Sequence, residues 1–203
     1  MRKLILCGAL APFFYIAAAI IGWLLAPGYD HIRDSVSDLL RPGMPNKVLL
    51  DSLMFLSNIF IVIGSAAALI VHKKLNKPVN AGLIMILSAG ILSTLSAHVF
   101  RLPMGPAMTL SGIIHIVIVA LLAILSLTFI LLIGYGMKEY GGWEKFKTYS
   151  IITFILFLIG GAISPIVVSS GLPLVGLVEK ISVAIYFQWV IVFFIRLYQF
   201  KGA

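Results

Sequence analysis

Cysteine is almost absent from this chain: Cys7 stands alone among 203 residues, which excludes a disulfide framework and any cysteine-based metal knuckle. Charge is also scarce. Asp, Glu, Lys and Arg make up 11% of the sequence, where soluble domains carry about a quarter, and an ordinary water-soluble fold is excluded. Acids are fewest of all, 7 against 15 Lys and Arg, for a formal net charge of +8. In a soluble protein that excess would suggest nucleic acid; here it has to be sorted by membrane side first. Also missing are the alternating segments of about ten residues that build transmembrane barrels. No repeat of roughly 20 to 50 residues and no matching pair of broken helices is visible, so the chain lacks an inverted-repeat transporter signature.

What is present is apolar sequence, 61% of the residues, with a mean hydropathy of +1.12. Crossing a hydrocarbon core of roughly 30 Å takes about 20 apolar residues, and six runs are long enough: 4–26, 48–71, 80–100, 108–133, 148–169 and 174–198. These predict an all-α polytopic membrane protein, one six-helix domain over residues 1–203. Arg2 and Lys3 precede the first run as they would in a signal peptide, but its apolar stretch exceeds the roughly 7 to 15 residues of a cleaved one, so it counts as a retained helix. Leu6 stands where a lipoprotein site before Cys7 would need Gly or Ala.

Short loops rich in Lys and Arg stay cytoplasmic. Arg2, Lys3, Lys73, Lys74, Lys77, Lys138, Lys145, Lys147, Arg196 and Lys201 fall on the side of the N terminus, leaving Arg33, Arg41, Lys47, Arg101 and Lys180 on the other. Both termini are therefore expected in the cytoplasm, in a multi-pass protein of the cell membrane. With nucleic acid set aside, membrane lipid is the expected partner, and a homo-oligomer or a membrane-protein partner stays open. Trp23, Tyr29, Trp143, Tyr149 and Tyr198 lie near helix ends, where amphipathic rings favour the headgroup layer. Five acids, Asp30, Asp34, Asp38, Asp51 and Glu179, share the outer side with His31, His98 and His115. Bases and acids balance there, so the whole positive excess is a topology signal on the inner face.

Residues 27–47 form the longest outer connection. Asp30, Asp34 and Asp38 recur every four residues, opposite a stripe of Ile32, Val36, Leu39 and Leu40. This spacing predicts a short amphipathic helix over about 30–41, ended by Pro42 and Gly43. It is either an interfacial helix with a solvated acidic face or a lid that supplies carboxylates to a site in the bundle. His115 lies about 10 Å and Glu179 about 8 Å below the outer boundary at 1.5 Å per residue. Intramembrane ionisable groups normally face an interior or a cavity, which makes Glu179 a residue in need of a partner among His115, His98, Arg101, Lys180 and nearby hydroxyls including Ser111. A neutral imidazole satisfied by one hydroxyl or carbonyl is the structural alternative for His115, and an ion pair with Arg101 or Lys180 that for Glu179. Zinc on His98, His115 and one of Asp30, Asp34 or Glu179 is chemically sensible but lacks a supporting helical spacing. A serine nucleophile, through Ser35, Ser37 or Ser111, is equally unspecific. Nothing names a cofactor.

Three short motifs carry a resemblance: Ser35-Val-Ser37-Asp38-Leu39 after the first span, Gly112-Ile-Ile-His115 early in the fourth, and Gly176-Leu-Val-Glu179-Lys180 opening the sixth. Over its whole length the chain resembles a bacterial and archaeal six-span family known as domain of unknown function 998, grouped with Frag-like, DRAM-like and Sfk-like membrane proteins. That resemblance implies business with membrane lipid and matches the family pattern at Ser37, Asp38, His115 and Glu179. Where the family has a Phe-Pro-x-Asp type element, this chain reads Phe100-Arg101-Leu102-Pro103 without an acid.

The expected function is recognition or organisation of membrane lipid by an outer-leaflet polar pocket of Asp34, Ser37, Asp38, His98, Arg101, His115 and Glu179, with Arg101 and Arg41 meeting phosphate. A second reading is an intramembrane hydrolase or acyl-transfer enzyme drawing its catalytic group from His115, Glu179, His98 and Asp38. A small-molecule or proton-coupled transporter is the third. For topology, fluorescent-protein fusions at either terminus should fluoresce in cells and an alkaline phosphatase inserted after Gly43 should be active; the reverse pattern would invert the orientation.

Overall fold

The computed structural model describes residues 1–103 and 109–201, so residue 108, the expected start of the fourth span, lies outside the described residues. Six helices are long and apolar enough to cross a membrane: α1 (Leu6–Leu25), α2 (Lys47–Val71), α3 (Lys77–His98), α4 (Leu110–Met137), α5 (Glu144–Ser170) and α6 (Val175–Gln199). A 3-10 turn, Arg2–Ile5, leads into α1. The chain is a multi-pass membrane protein with no strand among the described residues.

Local chemistry explains where the helices depart from the apolar runs. α3 starts at Lys77 because the Asn76 side chain accepts from Val79 N–H at 3.2 Å, with Pro78 in the first turn, where its missing N–H costs nothing. Thr109 Oγ1 caps Gly112 N–H in α4 at 3.2 Å. α4 runs past residue 133 and α5 begins before residue 148, since long basic side chains near helix ends can reach the headgroup layer. α5 continues through Pro165 without a break and ends at Gly171 in the left-handed region (φ +69°), a conformation glycine adopts at no steric cost.

Each helix packs against the next in sequence, and α6 returns onto α1 to close the circuit. Lipid is as apolar as leucine, so close packing rather than exclusion of water drives this association. On the α1–α2 seam a Cβ built on Gly64 would lie 2.4 Å from Gly8 N, so the two backbones touch directly. The large core side chains Phe129, Phe146, Trp189, Phe193 and Phe194 are fully buried. Trp189 stacks on Phe193 with centroids 5.2 Å apart and donates to Ser150 Oγ at 2.9 Å. Trp143, at the start of α5 as expected for a residue near a helix end, packs against this core at 3% exposure, with the Arg196 guanidinium 4.6 Å from its ring centroid.

These aromatics collect toward the end of the bundle that holds both termini, where Arg2 donates to the carbonyls of Tyr198 and Phe200 at 2.9 and 2.8 Å. The opposite end, here the loop end, has two small apolar clusters among the described residues, Ala18, Val36 and Met54, and Ala26, Leu39 and Leu50. Dry packing thus gives way to polar contacts along the bundle axis. Gly64→Ala should lower the melting temperature in detergent by several degrees, on the scale of about 1–3 kcal/mol for overpacking, although alanine is the better helix former. Gly161→Ala, with nothing within 4 Å of the added carbon, should not. A Gly64→Ala protein melting at or above wild type would contradict the seam.

Candidate functional site

The outer segment does not form the expected helix over 30–41. It holds a turn at residues 31–34 and a short 3-10 helix, Val36–Leu40. Short polar side chains compete with helical hydrogen bonds for backbone partners, and each of the three aspartates does so here. Asp30 Oδ1 accepts from the N–H groups of Ile32 and Arg33 at 2.7 and 3.2 Å. Asp34 Oδ2 accepts from Asp30 N–H at 2.8 Å, while its Oδ1 meets Arg33 Nε at 2.7 Å. Ser35 is extended (ψ 159°) and forms a capping box with Asp38, and Arg41 pairs with Asp38 at 2.6 Å. The period-four spacing therefore serves successive caps. Of the apolar stripe, Val36 and Leu39 are buried, whereas Ile32 stays 50% exposed.

Titration follows from those bonds. The two backbone N–H groups hold the Asp30 carboxyl below its usual range, and the Arg33 guanidinium does the same for Asp34. Burial, reinforced by Glu179, Asp38 and Asp34, pushes the Tyr29 phenol well up; its hydroxyl donates to the carbonyls of Asp34 and Ser35 at 3.0 and 3.1 Å.

This segment is sewn onto the first turns of α6. Gly176 and Leu177 N–H donate to the carbonyls of Arg33 and Ile32 at 3.2 and 3.0 Å, and Val36 N–H donates to Glu179 Oε2 at 3.0 Å. Lys180 Nζ donates to the carbonyls of His31 and Asp34 at 3.0 and 2.9 Å. The approach is close enough that a Cβ on Gly176 would sit 2.1 Å from Asp34 O. Two of the three resembling motifs thus bind each other directly. Glu179 makes no ion pair with Arg101 or Lys180 among the described residues; a backbone N–H is its partner.

His115 has a different task. Its Nδ1 lies 2.8 Å from Phe100 O, 3.0 Å from Ser96 Oγ and 3.3 Å from Ser96 O. One turn earlier, Ser111 Oγ donates to Arg101 O at 3.0 Å. Both side chains of α4 therefore satisfy carbonyls at the exit of α3, which have no helical partners of their own. With Nδ1 donating to Phe100 O, Nε2 is left as the acceptor. His115 and Glu179, expected to meet at matching depth, are held by different elements. A cavity of about 10 Å³ beside His115 is lined by Ser37, Leu40, Ser96, Ala97, Arg101 and Leu102, room for about one water molecule.

A larger groove of about 410 Å³ opens between α2 and α3, lined by Asp51, Ser52, Phe55, Leu56 and His98. Asp51 Oδ2 accepts from both Lys47 Nζ (2.6 Å) and Arg101 Nη2 (3.0 Å). Its other oxygen, Oδ1, is buried with no partner among the described residues, as is His98 Nε2. The His98 ring packs edge-on against Phe55 at 5.7 Å. No three His, Cys, Asp or Glu side chains among the described residues are grouped to hold a metal, so His98, His115 and Glu179 are not gathered into a zinc site.

The expected pocket joined His98 and Arg101 to His115 and Glu179; the structure instead sets His98 in this groove beside Asp51, with which Arg101 and Lys47 pair, and Asp51, Lys47 and Ser96 were not among the expected site residues. For Asp51 the signal was available, since a carboxylate one turn inside a span needs a partner, and Lys47 lies four residues before it. Ser96, Tyr29 and Gly176 act through contacts distant in sequence and carry no local signature.

Lys180→Met, which removes the donors to His31 and Asp34, should speed tryptic cleavage after Arg33 several-fold in detergent, and an unchanged rate would count against the anchor. Because the Asp30 and Asp34 carboxyls are depressed, their support is complete above about pH 4 and is lost as pH falls through the lowered values.

No curated protein and no solved structure matches the chain. A family model described as "Protein of unknown function (DUF998)" matches residues 9–196, taking in the outer segment, the α6 anchor, His115 and the groove. The chain therefore belongs to the DUF998 family of proteins of unknown function.

Proposed function

We propose that this multi-pass membrane protein binds a membrane lipid from the outer leaflet of the cell membrane through the groove between α2 and α3. The observation that carries the proposal is the polarity of the groove along the bundle axis. Its loop end presents Asp51, Ser52 and His98, and its floor presents Phe55 and Leu56. Deeper along the helices that form it, Phe55, Leu56, Ile91 and Leu95 are exposed apolar side chains. A headgroup fits the polar end while an acyl chain lies along the apolar one, the division of chemistry that a lipid carries in its own structure. Arg101 brings a guanidinium suited to phosphate.

In this proposal His98 and Arg101 touch the ligand. Asp34 and Glu179 hold the outer segment against α6, Ser37 and Asp38 shape its 3-10 helix, and His115 fixes the α3 exit from which Arg101 projects. The resemblance to Frag-like, DRAM-like and Sfk-like proteins of the wider bacterial and archaeal grouping points the same way.

Native mass spectrometry of protein extracted in mild detergent tests this. Wild type should retain bound phospholipid; Ser52→Trp, which fills the groove from an exposed position, should lose most of it, and Ile124→Trp on the exposed face of α4 should not. Equal retention by all three proteins would overturn the proposal.

A further inference from the structure

The unpartnered atoms in the groove identify a class of headgroup. Lys47 and Arg101 both point at one oxygen of Asp51. Two cations against one carboxylate leave one positive charge in excess, in a layer where water screens poorly. The second Asp51 oxygen, Oδ1, is a buried acceptor without a donor among the described residues, and His98 Nε2 is a buried ring nitrogen without a partner. A buried polar atom left unmatched is costly, and both atoms belong to residues that line the same groove.

A ligand that matches these groups supplies a single negative charge and, beside it, a neutral hydrogen-bond donor. From the charge balance and these two atoms we infer that the groove selects an anionic phosphodiester lipid whose headgroup carries a free hydroxyl, the chemistry of phosphatidylglycerol. The phosphodiester cancels the excess charge of Lys47 and Arg101 and accepts from His98 Nε2–H. The headgroup hydroxyl donates to Asp51 Oδ1. A zwitterionic headgroup brings no net negative charge, and one with a quaternary ammonium also brings no donor. This selectivity rests on the lipid-binding proposal above and specifies its ligand.

Delipidated full-length protein, titrated with single lipids in detergent and read by native mass spectrometry, separates the two requirements. Phosphatidylethanol has the same phosphodiester charge as phosphatidylglycerol but no hydroxyl, so comparing them isolates the Asp51 contact. Phosphatidylcholine removes the net charge as well. Phosphatidylglycerol should bind about ten-fold more tightly than phosphatidylethanol, the scale of one hydrogen bond to a charged group, and phosphatidylcholine should bind most weakly. Asp51→Asn, which replaces one carboxylate oxygen by a donor, should bring phosphatidylglycerol and phosphatidylethanol within about two-fold of each other. His98→Phe should weaken both anionic lipids alike. Equal binding of phosphatidylglycerol and phosphatidylethanol by wild type would overturn the inference, whatever the variants do. If Ser52→Trp still lost lipid in that case, lipid binding at the groove would stand without this selectivity, whereas retention by Ser52→Trp would remove both.

Discussion

The start of α6 is the point on which the loop end of the molecule depends. A helix begins with N–H groups that have no partner within it, and near the apolar layer such groups are costly to leave unpaired. Gly176 and Leu177 resolve this by donating to carbonyls of the outer segment, and the absence of a side chain at Gly176 lets the two backbones meet. Once that seam is made, Lys180 gathers further carbonyls and Glu179 takes the N–H of Val36. The 3-10 helix is then carried inward, Val36 joining Ala18 and Met54 and Leu39 packing over Gly22.

From that placement the rest of the polar layer follows. Ser37 and Leu40 come to lie beside the exit of α3, where His115 and Ser111 satisfy carbonyls that α3 itself cannot. Arg101 leaves the same exit and reaches Asp51 on α2. The terminal end is a dry aromatic core held by packing; the loop end is a network of caps and ion pairs in which nearly every polar atom has a local purpose. Among the described residues the buried side-chain atoms without a partner are Arg41 Nε, His72 Nε2, Asn80 Oδ1, Asp51 Oδ1 and His98 Nε2, and the last two belong to residues that line the groove. Buried polar groups are ordinarily satisfied, so an exception beside a groove is a reason to consider a ligand.

How far this was legible from sequence varied by scale. Apolar run length located all six helices, because the thickness of a bilayer imposes it. Helix ends were off by a few residues wherever a cap or a charged side chain, as at Asn76 and Lys77, extended the helix beyond its apolar run. Glu179 meets the N–H of Val36 rather than a charged side chain, and His115 meets the Phe100 carbonyl and the Ser96 hydroxyl, the hydroxyl-or-carbonyl alternative; which backbone atoms they would meet leaves no trace in composition. The aspartates at period four looked helical because spacing alone cannot distinguish a stacked face from successive caps.

The sequence by itself determined that the chain spans a membrane with six helices, since hydrophobic length and charge scarcity act locally, residue by residue. It also grouped Asp30, Asp34, Asp38, Asp51 and Glu179, five of the seven acids, at one end of the spans. Only the tertiary structure decided which polar groups meet: that Gly176 abuts Asp34, that His115 serves α3, and that Asp51, paired with Arg101, shares one groove with His98. These pairings join residues tens of positions apart, and they depend on helix rotation and backbone approach, which no local pattern encodes.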